Sequence, residues 1–347
     1  MLASQNTLLT VYTAAVAANW RSFAAASGTA DCGAAVKADG YGLGARPVAD
    51  ALIAAGCRDL FVAHWLEVPP LETLPAHVRI CVLHGVAPAE IPAALASRAT
   101  PVLNTPAQVV AWKSTGRPCD VMVDTGINRL GLSPAEARSG LLDGLDLHTV
   151  HSHLACAETP AHPLNETQRA RFADLAAHIP ARRHALANSG GITLGSDYTF
   201  SLTRPGIGLY GGGAAPAGGA LAPVVGIAAR ILQLRRVPTG AAIGYSATYI
   251  ASRDMQIAVA AIGYADGYPR ALSNTGGAIV GGHLCPGVGR ISMDLAAFDV
   301  TDADPALLAE DAFLNIDFDL ARTARASGRT EYELLTGLGA RYARIYR

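Results

Sequence analysis

What the sequence lacks narrows the field first. No uninterrupted apolar run is long enough to cross a bilayer, so no membrane-spanning helix is expected. Met1 to Thr10 carries no basic region ahead of an apolar stretch, so no secretory leader is expected and the expected location is the cytoplasm. Charge of either sign is not in excess: 27 basic against 28 acidic residues leave a formal net charge of -1. That balance gives no electrostatic reason to expect nucleic acid or an anionic membrane as partner. The six cysteines, Cys32, Cys57, Cys81, Cys119, Cys156 and Cys285, form no CxxC pair. They read as small buried hydrophobes in a reducing compartment, and no disulfide framework or metal site is expected. There is no internal repeat.

What is present is a chain of 347 residues, half of them hydrophobic, which suffices for two folded domains. Short apolar runs alternate with helical segments over the first two-thirds. Strand-like runs are Gly33 to Lys37, Leu60 to Ala63, Arg79 to Leu83, Pro101 to Leu103, Asp120 to Val123 and His148 to His153. Thr105-Pro-Ala-Gln108 and Ser133-Pro-Ala-Glu136 have the form of capping boxes with proline at the first helical position. This rhythm implies a parallel sheet, and roughly eight such units fit a (β/α)8 TIM barrel of the α/β class. After a Gly/Ala/Pro-rich stretch, Gly211 to Pro223, strands follow one another without long helices, which reads as a β-rich domain. The expected division is a barrel over residues 8–220 and a C-terminal β-domain over 221–347, with residues 1–7 packing on the latter.

The chemistry-bearing segments cluster at strand ends. Ala35-Val-Lys-Ala-Asp-Gly-Tyr-Gly-Leu-Gly44 places Lys37 where a side chain points into a barrel mouth. A partly buried lysine loses basicity and becomes a usable nucleophilic amine, although a lysine at a strand end is by itself more often a solvated cap. Asp124 to Gly131 carries Arg129, His151-Ser-His153 ends a strand, Asn188-Ser189 follows one, and Arg204 precedes a glycine turn. In a (β/α)8 barrel all these positions face the active-site mouth, and Ser189 with the amides near Gly206 suits a phosphate. In the second domain Tyr264 sits between small residues at a strand end, where an aromatic with its hydroxyl in water is the plainer reading.

Taken together, the chain resembles alanine racemases over nearly its whole length. The matching motifs are Val36 to Gly44, Asp124 to Gly131, His151 to Glu158, Asn188-Ser189, Arg204 to Gly211, Gly244 to Tyr249, Gly263 to Gly267 and Gly289 to Asp294. The resemblance implies a pyridoxal 5'-phosphate enzyme, an isomerase that interconverts L- and D-alanine by two-base proton transfer. It also implies a homodimer whose active sites are shared between chains. Lys37 resembles the lysine that forms a Schiff base with the cofactor and acts as one base. Tyr264 of the partner subunit resembles the second base, on the opposite face. Arg204 resembles the arginine facing the pyridine nitrogen, and Arg129 the one near the substrate carboxylate. Tyr41, Ser189, Gly206 and Ile207 resemble the phosphate cradle. His153 resembles the histidine that links the tyrosine to the arginine, and the Met293 amide a substrate-carboxylate contact. The implied role is D-alanine biosynthesis, with a catabolic role as the alternative.

These residue types suit the reaction. Racemisation removes a proton from one face of Cα and returns one on the other, which two opposed bases do directly. An arginine cannot readily give the pyridine nitrogen a proton, which limits delocalisation and suppresses side reactions. A tyrosine, with an ordinary pKa of about 10, needs nearby positive charge to act as a base, and His153 with Arg204 behind it is expected to supply that.

Three positions depart from the family pattern. A carbamylated lysine is replaced by Met122, so Asn128 or a bound anion is expected beside Arg129. A histidine is replaced by Leu186, with His184 shifted off by two, and its role is not carried over. A C-terminal tyrosine aligns with Ala340, leaving Tyr342 as its neighbour. The rival readings are a racemase of wider range, acting on serine or basic amino acids, and a related decarboxylase, which Arg204 disfavours. A non-catalytic cofactor-binding barrel would lack both the second domain and Tyr264.

Overall fold

The computed structural model describes residues 5–347 and separates into two compact units, one formed by residues 14–222 and the other by residues up to 13 together with 223–347. In the first unit, parallel strands run in sequential order: Ala34–Ala35, Asp59–Val62, Arg79–Val82, Thr100–Leu103, Cys119–Met122, Leu147–His151 and Arg183–Ala185. An eighth strand, Leu202–Thr203, pairs in parallel with Asp31–Cys32, which Gly33 separates from the first. Backbone bonds close the ring on both sides of it: Ser201 N donates to His184 O at 3.0 Å, and Gly33 N donates to Thr203 O at 2.9 Å. The unit is a (β/α)8 barrel, as the alternating pattern implies.

Its helices begin where the sequence signals them. Thr105 caps Pro106–Lys113 by accepting from Gln108 N, although the Gln108 side chain accepts from Asn104 N and not from Thr105. Ser133 and Glu136 form the complete reciprocal box before Pro134–Arg138. Alternation along Cys119–Met122 sends Cys119 and Val121 into the apolar layer beneath the helices, with Phe172 and Leu175. Asp120 therefore points to the barrel interior.

That interior carries an ionic layer where a barrel core is usually aliphatic. Asp120, fully buried, accepts from Arg79 Nη2 at 3.0 Å and Thr149 N at 3.1 Å, and lies 3.0 Å from His151 Nε2. Arg79 also donates to Asp59 at 3.2 Å, and Arg183 donates to Asp59 at 2.9 Å and to Asp31 at 2.9 Å. Buried charges are tolerated only when paired this fully. Burial alone would raise the Asp120 carboxyl, but His151 and Arg79 hold it down to about 2. Burial likewise lowers His151 to about 4, so its ring is neutral.

The second unit is a mainly antiparallel sheet built on the thirteen-residue strand Val225–Val237. One stretch of it pairs with Thr7–Val11 and Phe313–Ile316, and the remainder pairs with Met255–Ala260 after a register shift between Ile231 and Gln233. Thr7–Val11 pairs on its other edge, in parallel, with Ala343–Tyr346. The expected start of the barrel at residue 8 thus moves to 14, because residues 7–11 are committed to this sheet. Residues 1–4 of the expected N-terminal packing segment lie outside the described residues. Among the described residues no helix is long and apolar enough to cross a membrane, and no cluster of metal-ligating side chains occurs.

Candidate active site

Lys37 follows the first barrel strand and opens an unusual turn. Ala38, Asp39, Gly40 and Tyr41 all have positive φ, between 52° and 62°. Each non-glycine residue so placed costs about 1–2 kcal/mol, so the turn needs bracing. Gly40 N donates to Val36 O at 2.8 Å and Gly42 N to Ala38 O at 2.8 Å. Asp39 Oδ1 accepts from Ala45 N at 2.7 Å. The Glu67 carboxylate accepts from Ala38 N at 2.8 Å and Ala63 N at 2.7 Å.

The turn brings Tyr41 back over the barrel. Its ring stacks on Tyr210 at 4.4 Å, and the Tyr210 hydroxyl donates to Ala35 O at 2.9 Å. The Tyr41 hydroxyl reaches Gly206, where an added Cβ would overlap it. Ser189, buried, accepts from Gly206 N at 2.9 Å and Gly208 N at 3.2 Å. Tyr41, Ser189, Gly206 and the adjoining Ile207 therefore converge on one glycine-lined cradle. Without a Cβ at Gly206 the Tyr41 hydroxyl lies close against the glycine backbone, so a hydroxyl and main-chain groups are gathered at one point, an arrangement that suits a phosphate.

Beside the cradle, Arg204 is buried with one polar atom unsatisfied. Its Nη2 donates to Ser152 O at 2.6 Å, whereas Nη1 has no partner among the described residues. Such an orphan is costly and fits a ligand atom that accepts a hydrogen bond, as a pyridine nitrogen does. Burial lowers Arg204 to about 10, partly offset by Asp120, so it stays charged near neutrality. His153 lies within the fields of Arg204, Arg129 and Lys37; burial first, then those charges, push it down to about 3. Lys37 is itself lowered by burial and then by Arg129, with Glu67 opposing. Lys37, Arg129, His153 and Arg204 thus form one electrostatic cluster in the barrel.

Two expectations are corrected. His153 is neutral, so it does not supply positive charge toward a tyrosine; that charge sits on Arg204. Of the two partners expected for Arg129, Asn128 or a bound anion, the Asn128 side chain is not in place: Asn128 sits at φ 54°, and among the described residues the exposed Arg129 guanidinium makes no hydrogen bond or ion pair. Met122 is buried against Gly131, and a carbamate cannot form on it. His184 holds Ile179 O at 3.1 Å and Leu186 is buried, in keeping with the role left unassigned there. Tyr342 is buried, and its hydroxyl has no partner among the described residues.

The β-rich unit joins its two expected site residues. Tyr264 N donates to Ser292 O at 3.1 Å and Ala265 N to Met293 O at 3.0 Å, so their loops are tied together. Both side chains are exposed, Tyr264 at 42% and Met293 at 53%, which leaves the Tyr264 ring available to a ligand. Arg341 grips the buried Asp266 with Nε and Nη2, both at 2.8 Å, and reaches Asp294 at 2.7 Å. Asp266 in turn accepts from Gly263 N at 2.9 Å, which fixes the tyrosine loop. Glu67 and the Asp266–Arg341 brace were not anticipated from sequence. The only signal for either was a carboxylate close behind a strand end.

Comparison with known proteins agrees with this geometry. The family model described as "Alanine racemase, N-terminal domain" matches residues 11–214, and that described as "Alanine racemase, C-terminal domain" matches residues 224–346. The chain is 44% identical to the alanine racemase of Rhodospirillum rubrum, over 98% of this chain and 95% of that one. It is 42% identical to that of Rhizobium meliloti, over 99% and 97%. Among solved structures, alanine racemase from Bartonella henselae with covalently bound pyridoxal phosphate aligns over 99% of both chains, with TM-score 0.89 and 36% identity. The chain belongs to the alanine racemase family.

Proposed function

We propose that this protein is a pyridoxal-phosphate-dependent racemase that interconverts L- and D-alanine. The observation that carries the reading is the buried Arg204 with its unpaired Nη1, set in one cluster with Lys37 and beside the Gly206 cradle. Lys37 would hold the cofactor covalently, Tyr41, Ser189, Gly206 and Ile207 its phosphate, and Arg204 its ring nitrogen. When bound, pyridoxal phosphate supplies the electron sink that stabilises negative charge at Cα.

The protein's own groups do the rest. Desolvation keeps the Lys37 Nζ ready to take or return a proton at one face. The Tyr264 hydroxyl, contributed by the partner subunit of a homodimer, serves the other face. Arg204 stays cationic and holds its protons, so the ring nitrogen receives none from it. His153, neutral and within the field of Arg204, would line the cofactor site. Arg129 and the Met293 amide orient the substrate carboxylate. The protein is proposed to act in the cytoplasm and to supply D-alanine; loss of the gene should then impose a D-alanine requirement.

Chiral chromatography after incubation with single L-amino acids tests the reading. L-alanine should be racemised in preference to serine and basic amino acids, without loss of carbon dioxide. Lys37→Ala should abolish both racemisation and the visible absorbance of the cofactor-loaded protein; a variant keeping both would sink the assignment.

A further inference from the structure

Glu67 lies 30 residues beyond Lys37 in sequence, on the segment that follows the neighbouring strand Asp59–Val62. Its two carboxylate oxygens have different partners. Oε1 accepts from the amide of Ala38, the residue directly after Lys37, at 2.8 Å, and Oε2 accepts from the amide of Ala63, directly after that strand, at 2.7 Å. One side chain therefore ties the ends of two adjacent barrel strands at the lysine. Its side chain is only 15% exposed, and the bond to Ala63 is the more shielded of the two.

The Ala38 amide opens the left-handed run of residues 38–41, and among the described residues it donates to the Glu67 carboxylate and to no backbone carbonyl. Without the carboxylate, the first peptide of a strained turn has nothing to hold its direction, and Lys37 is the residue it directs. The charge environment has the same focus. The charged and titratable groups acting on Lys37 are Arg129, His153 and Glu67, and His64 Nε2 lies 3.9 Å from Glu67 Oε1, the oxygen that also accepts from Ala38. Arg129 is cationic and His153 is neutral, so Glu67 is the anion of the set.

We propose that Glu67 is a positioning residue for Lys37: it fixes the peptide that follows the lysine and supplies the counter-charge for its Nζ. This rests on Lys37 being the cofactor lysine. A purely structural carboxylate would affect folding and nothing else; a positioning one must also move the protonation of the lysine nitrogen.

The test separates charge from bond with two variants of the cofactor-loaded protein. Glu67→Gln keeps the shape but removes the charge and can satisfy only one of the two amides. Glu67→Asp keeps the charge but shortens the arm by a methylene. The readout is the pH midpoint of the bound cofactor's visible absorbance, with racemisation and thermal melting measured alongside. In Glu67→Gln the midpoint should fall by about one pH unit, a tenfold change in the protonation equilibrium. Glu67→Asp should hold the midpoint near wild type while racemisation drops roughly ten- to hundredfold, as a misplaced reacting group does. Should Glu67→Gln fail to fold, Glu67→Asp alone decides, because wild-type racemisation in it overturns the positioning role. An unmoved midpoint in folded Glu67→Gln overturns the counter-charge. Lys37→Ala serves as the control: if it retains the absorbance, the cofactor assignment fails, whereas its loss beside an unmoved Glu67→Gln midpoint refutes only the role of Glu67.

Discussion

Replacing Gly206 with alanine tests the cradle through a clash that a second substitution should relieve. A Cβ at Gly206 would overlap the Tyr41 hydroxyl, roughly 1 Å inside ordinary contact, with Tyr41 Cζ at 3.3 Å and Ala35 Cβ at 3.6 Å behind it. Tyr41 cannot simply swing aside, because its buried ring stacks on Tyr210 at 4.4 Å and Tyr210 is anchored to Ala35 O. Overpacking of this kind costs about 1–3 kcal/mol, and each kcal/mol lowers the Tm of a domain this size by about 2–4 °C. Tyr41→Phe removes the overlapping oxygen and leaves the Cζ contact, which is tight but tolerable. Calorimetry of Gly206→Ala, Tyr41→Phe and the pair should therefore show a favourable coupling of about 1 kcal/mol or more. Cofactor retention on dialysis should behave differently and stay weakened in the double variant, because the hydroxyl donor is gone. A double variant no more stable than Gly206→Ala would refute the claim that Tyr41 and Gly206 meet at the cradle.

Acid should weaken the barrel in two steps. His151 is held neutral by burial, so stability falls as the pH drops below the ordinary histidine range toward its folded value of about 4; Asp120 then loses a contribution of roughly 2 kcal/mol between about pH 4 and 2, and urea midpoints that stay flat over that range would contradict the ionic layer. Tyr264→Phe should preserve folding and cofactor absorbance while slowing Cα hydrogen exchange of L-alanine by about 10²–10⁴, more than that of D-alanine. Equal slowing of both enantiomers would argue against Tyr264 as the base for one face. Mixed dimers of Lys37→Ala and Tyr264→Phe chains should regain activity, since one site is then intact; no recovery despite subunit exchange would place Tyr264 outside the partner's site.

The barrel was legible because its signals are local. Strand–helix alternation, the Ser133 capping box and the glycines around Lys37 and Arg204 each act within a few residues. The ionic layer was not legible, because Asp59, Arg79, Asp120 and Arg183 lie far apart in sequence and meet only when the strands wrap round. Read singly, Asp120 before Val121-Met122-Val123 looks like the polar start of an apolar strand. The neutrality of His153 was hidden for the same reason: residue type gives a histidine its ordinary titration range, but burial among Arg204, Arg129 and Lys37 decides its state. The division between the units was shifted because nothing local in Thr7–Val11 marks the sheet it belongs to, and only its pairing with Val225–Val237 reveals which sheet it joins.

That pairing also sets an order on assembly. The sheet unit draws on residues 7–11 and on 343–346, and Arg347 O accepts from Thr13 N at 2.6 Å. A ribosome has emitted every residue of the barrel by position 222, whereas the last strand beside Thr7–Val11 does not exist until position 346. The early strand therefore waits through more than 200 residues of synthesis with an edge unpaired, a state in which exposed strand edges invite association with other chains.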